Sequence, residues 1–360
     1  MKKTILALAA VATMVACSKD EIVNEAPKVP IAFGDAFVEN TTRAIDPSYT
    51  TNNLMAFKVY GTLKATDNKG IASPQTVNVF DGAEVSRNTV SDPWSCTTTQ
   101  YWVANCDYAF MAIAGGTTAD GKNSTAVNNV GMPTNITYDA TTQKDLLLAT
   151  ANATTNASAV PAGVVTGDIV ESDTDKLVAF TFDHLLAKAK FTVNNNITAT
   201  TGVYTYEVKD VKITNAAQKA TYDISQKTWE DATASYNTTS SLDFGSVVTS
   251  NSLTGIIEKE SGESEYERLL IPADYPDTDG KRLAVTFTVN LYMSDNYHND
   301  PQLINTTTYN KDVAIEIEKG YAYNFVINLG DPGKPIKFTV TKVNEWAPQG
   351  GHTNVPVPVE

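Results

Sequence analysis

Apolar residues alternate with polar ones along most segments of this chain, and this alternation limits the fold more than any other feature. In LAVTFTVNLYM, every second residue from Leu283 to Met293 is apolar, so these side chains share one face. A period of two is typical of half-buried antiparallel strands. No long segment has a convincing helical period, and only TTQKDLLLATANA leaves its type open. The sequence therefore predicts an all-β protein made of sandwiches of short strands.

The chain is long enough for two ordinary domains, with 360 residues and 42% apolar content. One break in the alternation suggests where they meet. In VAFTFDHLLAKAKFTV, Phe180 and Phe182 share a face with His184, whereas the apolar face changes parity from Leu185 onward. A bulge or a passage between two sandwiches would shift the register in this way. We therefore place a domain boundary near residue 185.

The N-terminus reads as an export signal that ends on a cysteine. Lys2 and Lys3 precede a short apolar run, which is too short to span a bilayer as a helix. The run ends in Met14-Val15-Ala16-Cys17, which resembles the lipobox of bacterial lipoproteins. This match predicts a signal peptide over residues 1–16, cleavage before Cys17 and acylation of its thiol. The alternative is a plain secretory signal with an incidental cysteine.

Charge and cysteine content narrow the classes of partner. The formal net charge is −14, and it becomes −16 when Lys2 and Lys3 leave with the signal. A surface with this much negative charge repels phosphate groups. It therefore argues against nucleic acid as a partner and against electrostatic docking on anionic lipid. Cys96 and Cys106 are the other two cysteines. In an exported protein they could form a disulfide bond between neighbouring strands, and the alternative is two buried thiols.

Patterns that carry catalysis or bind cofactors are missing from the sequence. The chain has three scattered histidines, and it contains neither HExxH nor GxSxG. The segment GGTTADGKN matches GxxxxGK, but Asn123 takes the place of the Ser or Thr that binds magnesium, and no helical pattern follows. We read it as a hairpin loop. The sequence predicts no metal site and no cofactor, and it predicts that the protein is not an enzyme.

Several landmarks occur in an order that resembles the fimbrillin family, the Mfa-like type V pilus subunits of Bacteroidetes. They are VPIAFGDAFVENTTRAI, YWVANCDYAFMAIAGG, QKDLLLATA, FTFDHLLAKAKFTV, ERLLIPADYP and GYAYNFVINLGDPGKPIKFTVTKVNEW. The resemblance implies two transthyretin-like β-sandwich domains in tandem. With the boundary that the break in alternation suggests, these domains span residues 44–185 and 186–346, after a lipidated pro-segment at 17–43 that holds a removable first strand. The tail at 347–360 is then the candidate donor strand.

The resemblance also implies how such a protein assembles. A surface protease specific for arginine cuts the lipoprotein precursor after its first strand, and the C-terminal segment of the next subunit fills the groove that opens. The matching position is Arg43–Ala44, because Arg43 alone among four arginines follows the anchor and a single candidate strand. Its alternative is an ordinary loop arginine. In the tail, Val355, Val357 and Val359 recur at a period of two, and the alternative is a frayed end.

The expected function is therefore a structural subunit of a fimbria, most simply a stalk pilin that supports adhesion. Its partners would be copies of itself or related fimbrial subunits in a head-to-tail polymer, together with the processing protease. The precursor would be lipid-anchored at the cell surface in the outer membrane. The alternatives are an anchor or tip subunit, or a surface lipoprotein that does not polymerise and binds a glycan or protein.

Overall fold

The structure is a computed structural model in which most of the chain between residues 29 and 343 is described, together with a short part of the tail. The described residues are 29–38, 53–66, 75–115, 124–155, 171–172, 175–196, 204–230, 241–250, 254–256, 267–277, 282–294, 301–331, 333–343 and 355–357. The predicted signal peptide, Cys17, Arg43, Ala44 and Val359 lie outside these ranges.

The first half of the described chain holds ten strands and one turn of 3-10 helix. The strands are β1 (Ala32–Val38), β2 (Ala56–Ala65), β3 (Val77–Ser86), β4 (Ser95–Cys96), β5 (Cys106–Gly115), β6 (Ser124–Val127), β7 (Pro133–Asp139), β8 (Leu146–Thr154), β9 (Glu171–Ser172) and β10 (Asp175–His184). The 3-10 turn spans Ala140–Thr142.

The second half continues with strands alone among the residues described. They are β11 (Ala187–Asn195), β12 (Tyr204–Ile213), β13 (Lys219–Asp223), β14 (Thr228–Trp229), β15 (Leu242–Ser250), β16 (Thr254–Ile256), β17 (Arg268–Leu270), β18 (Ala273–Tyr275), β19 (Leu283–Met293), β20 (Gln302–Val313), β21 (Ile315–Ile317), β22 (Ala322–Leu329), β23 (Lys337–Val343) and β24 (Val355–Val357).

These strands pair into several sheets, and apart from one turn of 3-10 helix every regular element of the described chain is a strand. The largest sheet has the order β1-β10-β8-β5-β2-β3-β4, with β9 also on β10. A second sheet, β16-β11-β22-β23-β24 with β17 on β11, faces a third, β15-β12-β19-β20. Two smaller sheets are β14-β13-β7-β6 and β18-β21. The predicted all-β class is confirmed.

Two cores account for the alternation seen in the sequence. The inward residues of the largest sheet pack against one another, so that this sheet encloses its own core in the N-terminal half. In the C-terminal half, Phe191 and Phe325 from the second sheet pack into one cluster with Phe287 from the third. Every second residue of these strands points into a core, because successive side chains of a strand point to opposite faces.

A third cluster joins the two halves. The parity break falls at Leu185 and Leu186, which connect β10 to β11 and are both buried. They pack with outward residues of the largest sheet, such as Tyr60, and with residues of the sheet β14-β13-β7-β6. That sheet draws β6 and β7 from the first half and β13 and β14 from the second. The halves are therefore linked by backbone pairing as well as by packing.

Candidate functional site

The first strand closes the core of the N-terminal half. β1 pairs in parallel with β10, from Ala32 opposite Leu177 to Val38 opposite Phe182. Just before β1, the N–H of Ile31 donates to the carbonyl of Gln100 at 2.8 Å. In the reverse direction, the N–H of Trp102 donates to the carbonyl of residue 29 at 3.0 Å. We call these two pairings, with β10 and with residues 100–102, the β1 seam.

Four side chains of the seam fill the core from the inner face of the strand, and each is no more than 5% exposed: Ile31, Phe33, Ala36 and Val38. The ring of Phe33 lies 5.6 Å from that of Phe80 and 6.0 Å from that of Phe180, between ring centroids. Aromatic side chains contribute most of the apolar area buried in cores of this kind. Without this strand, the core would have an open apolar groove between β10 and residues 100–102.

The strand is well buried but imperfectly paired. Its register against β10 shifts between Phe33 and Ala36, so three steps along β1 match two steps along β10. Parallel pairs are also slightly less stable per residue than antiparallel ones. Gly34 lies within this irregular stretch, where a Cβ would come 2.9 Å from the Cβ of Leu177. The seam thus combines a large apolar contact with a backbone that departs from regular pairing.

Replacing Gly34 with alanine is expected to loosen β1 without touching the core side chains. The added methyl group would meet Leu177 at a distance that real Cβ atoms do not adopt, so strand and sheet must move apart. Overpacking of this kind costs about 1–3 kcal/mol. Hydrogen exchange of the β1 amides measures the effect, and we expect exchange to become faster there than elsewhere in the N-terminal half.

Gly330→Ala is the matched control for this substitution. A Cβ at Gly330 would lie 3.4 Å from the nearest atom, the Cβ of Lys334, which is an ordinary contact. Its φ is not positive, so alanine is tolerated there on backbone grounds as well. If Gly34→Ala protects the β1 amides as well as Gly330→Ala does, the close approach to Leu177 does not govern the seam.

The tail lies at the edge of the C-terminal half. β24 pairs antiparallel with β23, with Val355 opposite Lys342 and Val357 opposite Val340. Pro356 lies between them and opposite Thr341. Because proline has no backbone N–H, it is found on edge strands rather than inside sheets. Val355 and Val357 thus pair within the C-terminal half, whereas the β1 seam belongs to the N-terminal half.

The structure does not join Cys96 to Cys106. Cys96 lies on β4 and Cys106 on β5, and β3 and β2 separate these strands in the sheet. Three strand spacings of about 4.8 Å exceed the reach of a disulfide bond, whose Cα atoms lie within about 7 Å. Burial raises the pKa of the Cys96 thiol above its ordinary value. The disulfide that the sequence left open is therefore not formed, and the two cysteines remain thiols.

Polar and aromatic residues outside the seam are explained by packing. His184 ends β10, where its Nδ1 lies 2.7 Å from a carboxylate oxygen of Asp145 and both side chains are buried. The ring of Trp94 packs against that of Phe57 in a tilted arrangement, with ring centroids 4.9 Å apart. Among the residues described, no group of three or more His, Cys, Asp or Glu side chains is placed to hold a metal ion. Nor does the described chain contain a helix long and apolar enough to cross a membrane.

Sequence reasoning missed one element of the seam, namely residues 100–102. Their pairing with residues 29–31 is shown by the bridge between Pro30 and Tyr101. The available signal was again an alternation, because Trp102 is buried whereas Tyr101 and Val103 on either side are exposed. Three residues are too few for this pattern to identify a strand by itself.

The chain is similar to a protein family and to solved structures. A family model described as fimbrillin-like matches residues 42–346. A fimbrial protein from Bacteroides vulgatus has a similar fold, with a TM-score of 0.60 at 16% identity over 87% of this chain and 98% of that chain. A candidate cell adhesion protein from Parabacteroides distasonis aligns with a TM-score of 0.46 at 11% identity, over 88% of this chain and 98% of that one.

No curated protein matches the sequence. The family model alone covers most of the chain, because its match runs from residue 42 to residue 346 and includes both halves. The match indicates a structural protein of a cell-surface appendage rather than an enzyme. The chain therefore belongs to the fimbrillin-like family.

Proposed function

We propose that the protein is the stalk subunit of a fimbria and that it polymerises by exchanging its first strand. It is exported as a lipoprotein anchored through Cys17 in the outer membrane, and a protease then cuts at Arg43–Ala44. The released segment takes β1 with it, and the tail of another copy fills the groove. The observation that carries this proposal is the β1 seam, because one N-terminal strand closes an otherwise complete apolar core.

The arrangement of the arginines supports cleavage at Arg43. Proteases act on exposed loops that can bind in extended form. The guanidinium of Arg87 donates to the carbonyls of Leu54 and Val90 and lies 4.4 Å from the ring centre of Trp94. These contacts would have to break before the Arg87 side chain could enter the pocket of a protease.

The remaining two arginines are also held by the fold. Arg268 lies on β17, which pairs with β11, and its Nε donates to the carbonyl of Asp243 at 2.9 Å. Arg282 directly precedes β19 and forms an ion pair with Asp277. Folding therefore disfavours cleavage at Arg87, Arg268 and Arg282, three of the four arginines.

The location of the tail supports its role as donor. β24 is the last strand of its sheet, paired on one side only among the described residues. An edge strand has one partner strand, so it separates by breaking a single ladder of backbone hydrogen bonds. Once released, it can add to another sheet by β-augmentation, in which main-chain hydrogen bonds supply affinity and alternate side chains fill pockets. Such head-to-tail contacts do not close on themselves, so they yield a filament.

The same seam favours one alternative, an anchor subunit or surface lipoprotein that keeps β1. With β1 in place the N-terminal core is complete, and no groove is open to a donor strand. The intact mass and N-terminal sequence of protein taken from the surface of its native host decide between the two. A start at Ala44 without lipid is expected for the stalk subunit. A lipidated start at Cys17 in all of the material would overturn the proposal in favour of the alternative.

A further inference from the structure

A cavity lies where the two halves of the chain meet, outside the β1 seam. Its volume is about 340 Å³, which falls within the range of pockets that bind small molecules. The first half contributes one wall, the 3-10 turn with Gln143 after it. The second half contributes residues 216–218 between β12 and β13, residues 241–243 at the start of β15, and Arg268 on β17. We call this cavity the junction pocket.

Hydrogen bonds between the two halves hold the walls of the junction pocket in place. The side-chain Nε2 of Gln143 donates to the carbonyl of Leu269 at 3.1 Å, and the N–H of Leu269 donates back to the Gln143 Oε1 at 2.9 Å. Nearby, the N–H of Ala140 donates to the carbonyl of Gln218 at 2.8 Å. The folded chain therefore forms the pocket by itself, as is usual for small-molecule sites.

The base of the junction pocket is apolar, and its mouth is polar. The most buried lining residues are three alanines, each no more than 7% exposed: Ala140, Ala216 and Ala217. Their small side chains leave the space between the walls open. The exposed and half-buried lining residues include a carboxylate, a guanidinium, amide and hydroxyl groups, on Asp243, Arg268, Gln218, Thr141 and Ser241.

The two charged side chains of the lining have opposite signs. The Nε of Arg268 donates to the backbone carbonyl of Asp243 at 2.9 Å, which orients the guanidinium beside this residue. The carboxylate of Asp243 accepts from the N–H of Gly245 at 2.8 Å and lies 3.7 Å from the Nζ of Lys212. An anion in the pocket would meet the Asp243 carboxylate, and a cation would meet the Arg268 guanidinium. The lining therefore favours an uncharged ligand that both donates and accepts hydrogen bonds.

From this lining we propose that the junction pocket binds a neutral saccharide of about one or two sugar rings, the size that a small-molecule pocket of this volume holds. Sugar hydroxyl groups both donate and accept, so they match the carboxylate, guanidinium and amide groups at the mouth. The C–H groups of a sugar ring match the apolar base. The inference goes beyond the proposed function, because it assigns a ligand to the subunit whether or not the first strand is exchanged.

Binding in this pocket has a consequence for the whole chain. A ligand that contacts the 3-10 turn and β15 together touches both halves, so it binds the folded chain and not the unfolded one. Such a ligand raises the stability of the folded state in proportion to the logarithm of its concentration. A rise in the unfolding temperature therefore accompanies binding, and it provides a second readout beside the titration itself.

The experiment titrates the purified full-length protein with sugars and follows heat of binding and thermal unfolding. The neutral probes are glucose, galactose, mannose, N-acetylglucosamine, maltose and lactose, and glucuronate is the anionic comparison. We expect at least one neutral sugar to bind and to raise the unfolding temperature. Tighter binding of glucuronate than of every neutral sugar would overturn the neutral assignment. Binding of none of the neutral sugars would overturn the proposal.

Asp243→Asn shows whether a bound sugar occupies the junction pocket. The asparagine oxygen can still accept from the N–H of Gly245, so the turn is retained while the charge is lost. We expect about tenfold weaker binding, the loss typical of a hydrogen bond to a charged group. Asp223→Asn is the matched control, because Asp223 accepts from the N–H of Ser225 in a similar turn at the far end of β13. It should bind the sugar as wild type does.

Ser241→Trp is a second test that does not depend on the carboxylate. Ser241 is exposed at the mouth, so the fold tolerates a larger side chain there. The indole ring should obstruct the pocket and abolish binding, while the unfolding temperature without sugar stays as in wild type. Wild-type affinity in both Asp243→Asn and Ser241→Trp would place the sugar elsewhere and overturn the assignment. An equal loss in Asp223→Asn and Asp243→Asn would overturn it as well.

Discussion

Replacing Phe33 with alanine is expected to weaken the precursor strongly and to leave the assembled polymer unchanged. In the precursor, the ring of Phe33 is buried among Phe57, Phe80 and Phe180. Loss of a buried phenylalanine side chain costs about 3–5 kcal/mol, because both the transfer energy and the packing around the cavity are lost. The proposed exchange removes β1 from the polymer, so this side chain would no longer contribute there.

Thermal unfolding of the purified precursor tests the expected loss of stability, and thermal unfolding of surface polymer tests the expected absence of an effect. Phe180→Ala is the matched control, since Phe180 stacks on Phe33 at 6.0 Å but belongs to β10, which remains in the subunit. It should weaken precursor and polymer alike. If Phe33→Ala lowers the stability of the polymer as much as Phe180→Ala does, β1 is still present in the filament and strand exchange does not occur.

Alternation along the chain was sufficient to predict the fold class and many individual strands. The run from Leu283 to Met293 is β19 without a change of boundary, and its apolar positions are buried up to Val289. The segment TTQKDLLLATANA, whose type was open, contains β8 from Leu146 onward. These predictions succeed because the alternation between the two faces of a strand is visible in the residues of that strand alone.

Strand partners could not be predicted, because pairing depends on residues that are distant in sequence. β1 pairs with β10, about 145 residues further along the chain, and nothing in either strand specifies the other. For the same reason the spacing of Cys96 and Cys106 was misleading, since nearness in sequence did not place them on neighbouring strands. The sheet that β7 shares with β13 likewise crosses the boundary predicted near residue 185.

The candidate site was predictable only in part, for the same physical reason. The buried positions of β1 follow its own alternation up to Phe33, and the irregular step after Gly34 then shifts the parity at Ala36. That step lies where Gly34 packs closely on Leu177, and no local sequence pattern reveals this contact. The division of the chain into domains at residues 44–185 and 186–346 remains a prediction, because the two halves share both a sheet and a buried cluster.

Replacing Arg43 with alanine is expected to suppress assembly strongly. Without cleavage, β1 stays covalently attached to the chain, and its effective concentration at the groove far exceeds that of a tail on another molecule. An intramolecular strand therefore excludes the donor strand even when the donor fits well. The protein should accumulate as a lipidated monomer that begins at Cys17, and we expect surface polymer to fall by at least about tenfold, since an effective concentration in the millimolar range outcompetes dilute subunits.

Two further variants show whether the processing protease recognises the arginine side chain itself. Arg43→Lys keeps the positive charge but not the planar guanidinium, so a protease specific for arginine should fail on it as it fails on alanine. Arg282→Ala removes an arginine that is paired with Asp277 and should leave maturation unchanged. The N-terminus and mass of each variant report cleavage directly. A mature form of Arg43→Ala that begins at the same residue as wild type would show that processing does not depend on Arg43, and the exchange of β1 would then need another trigger.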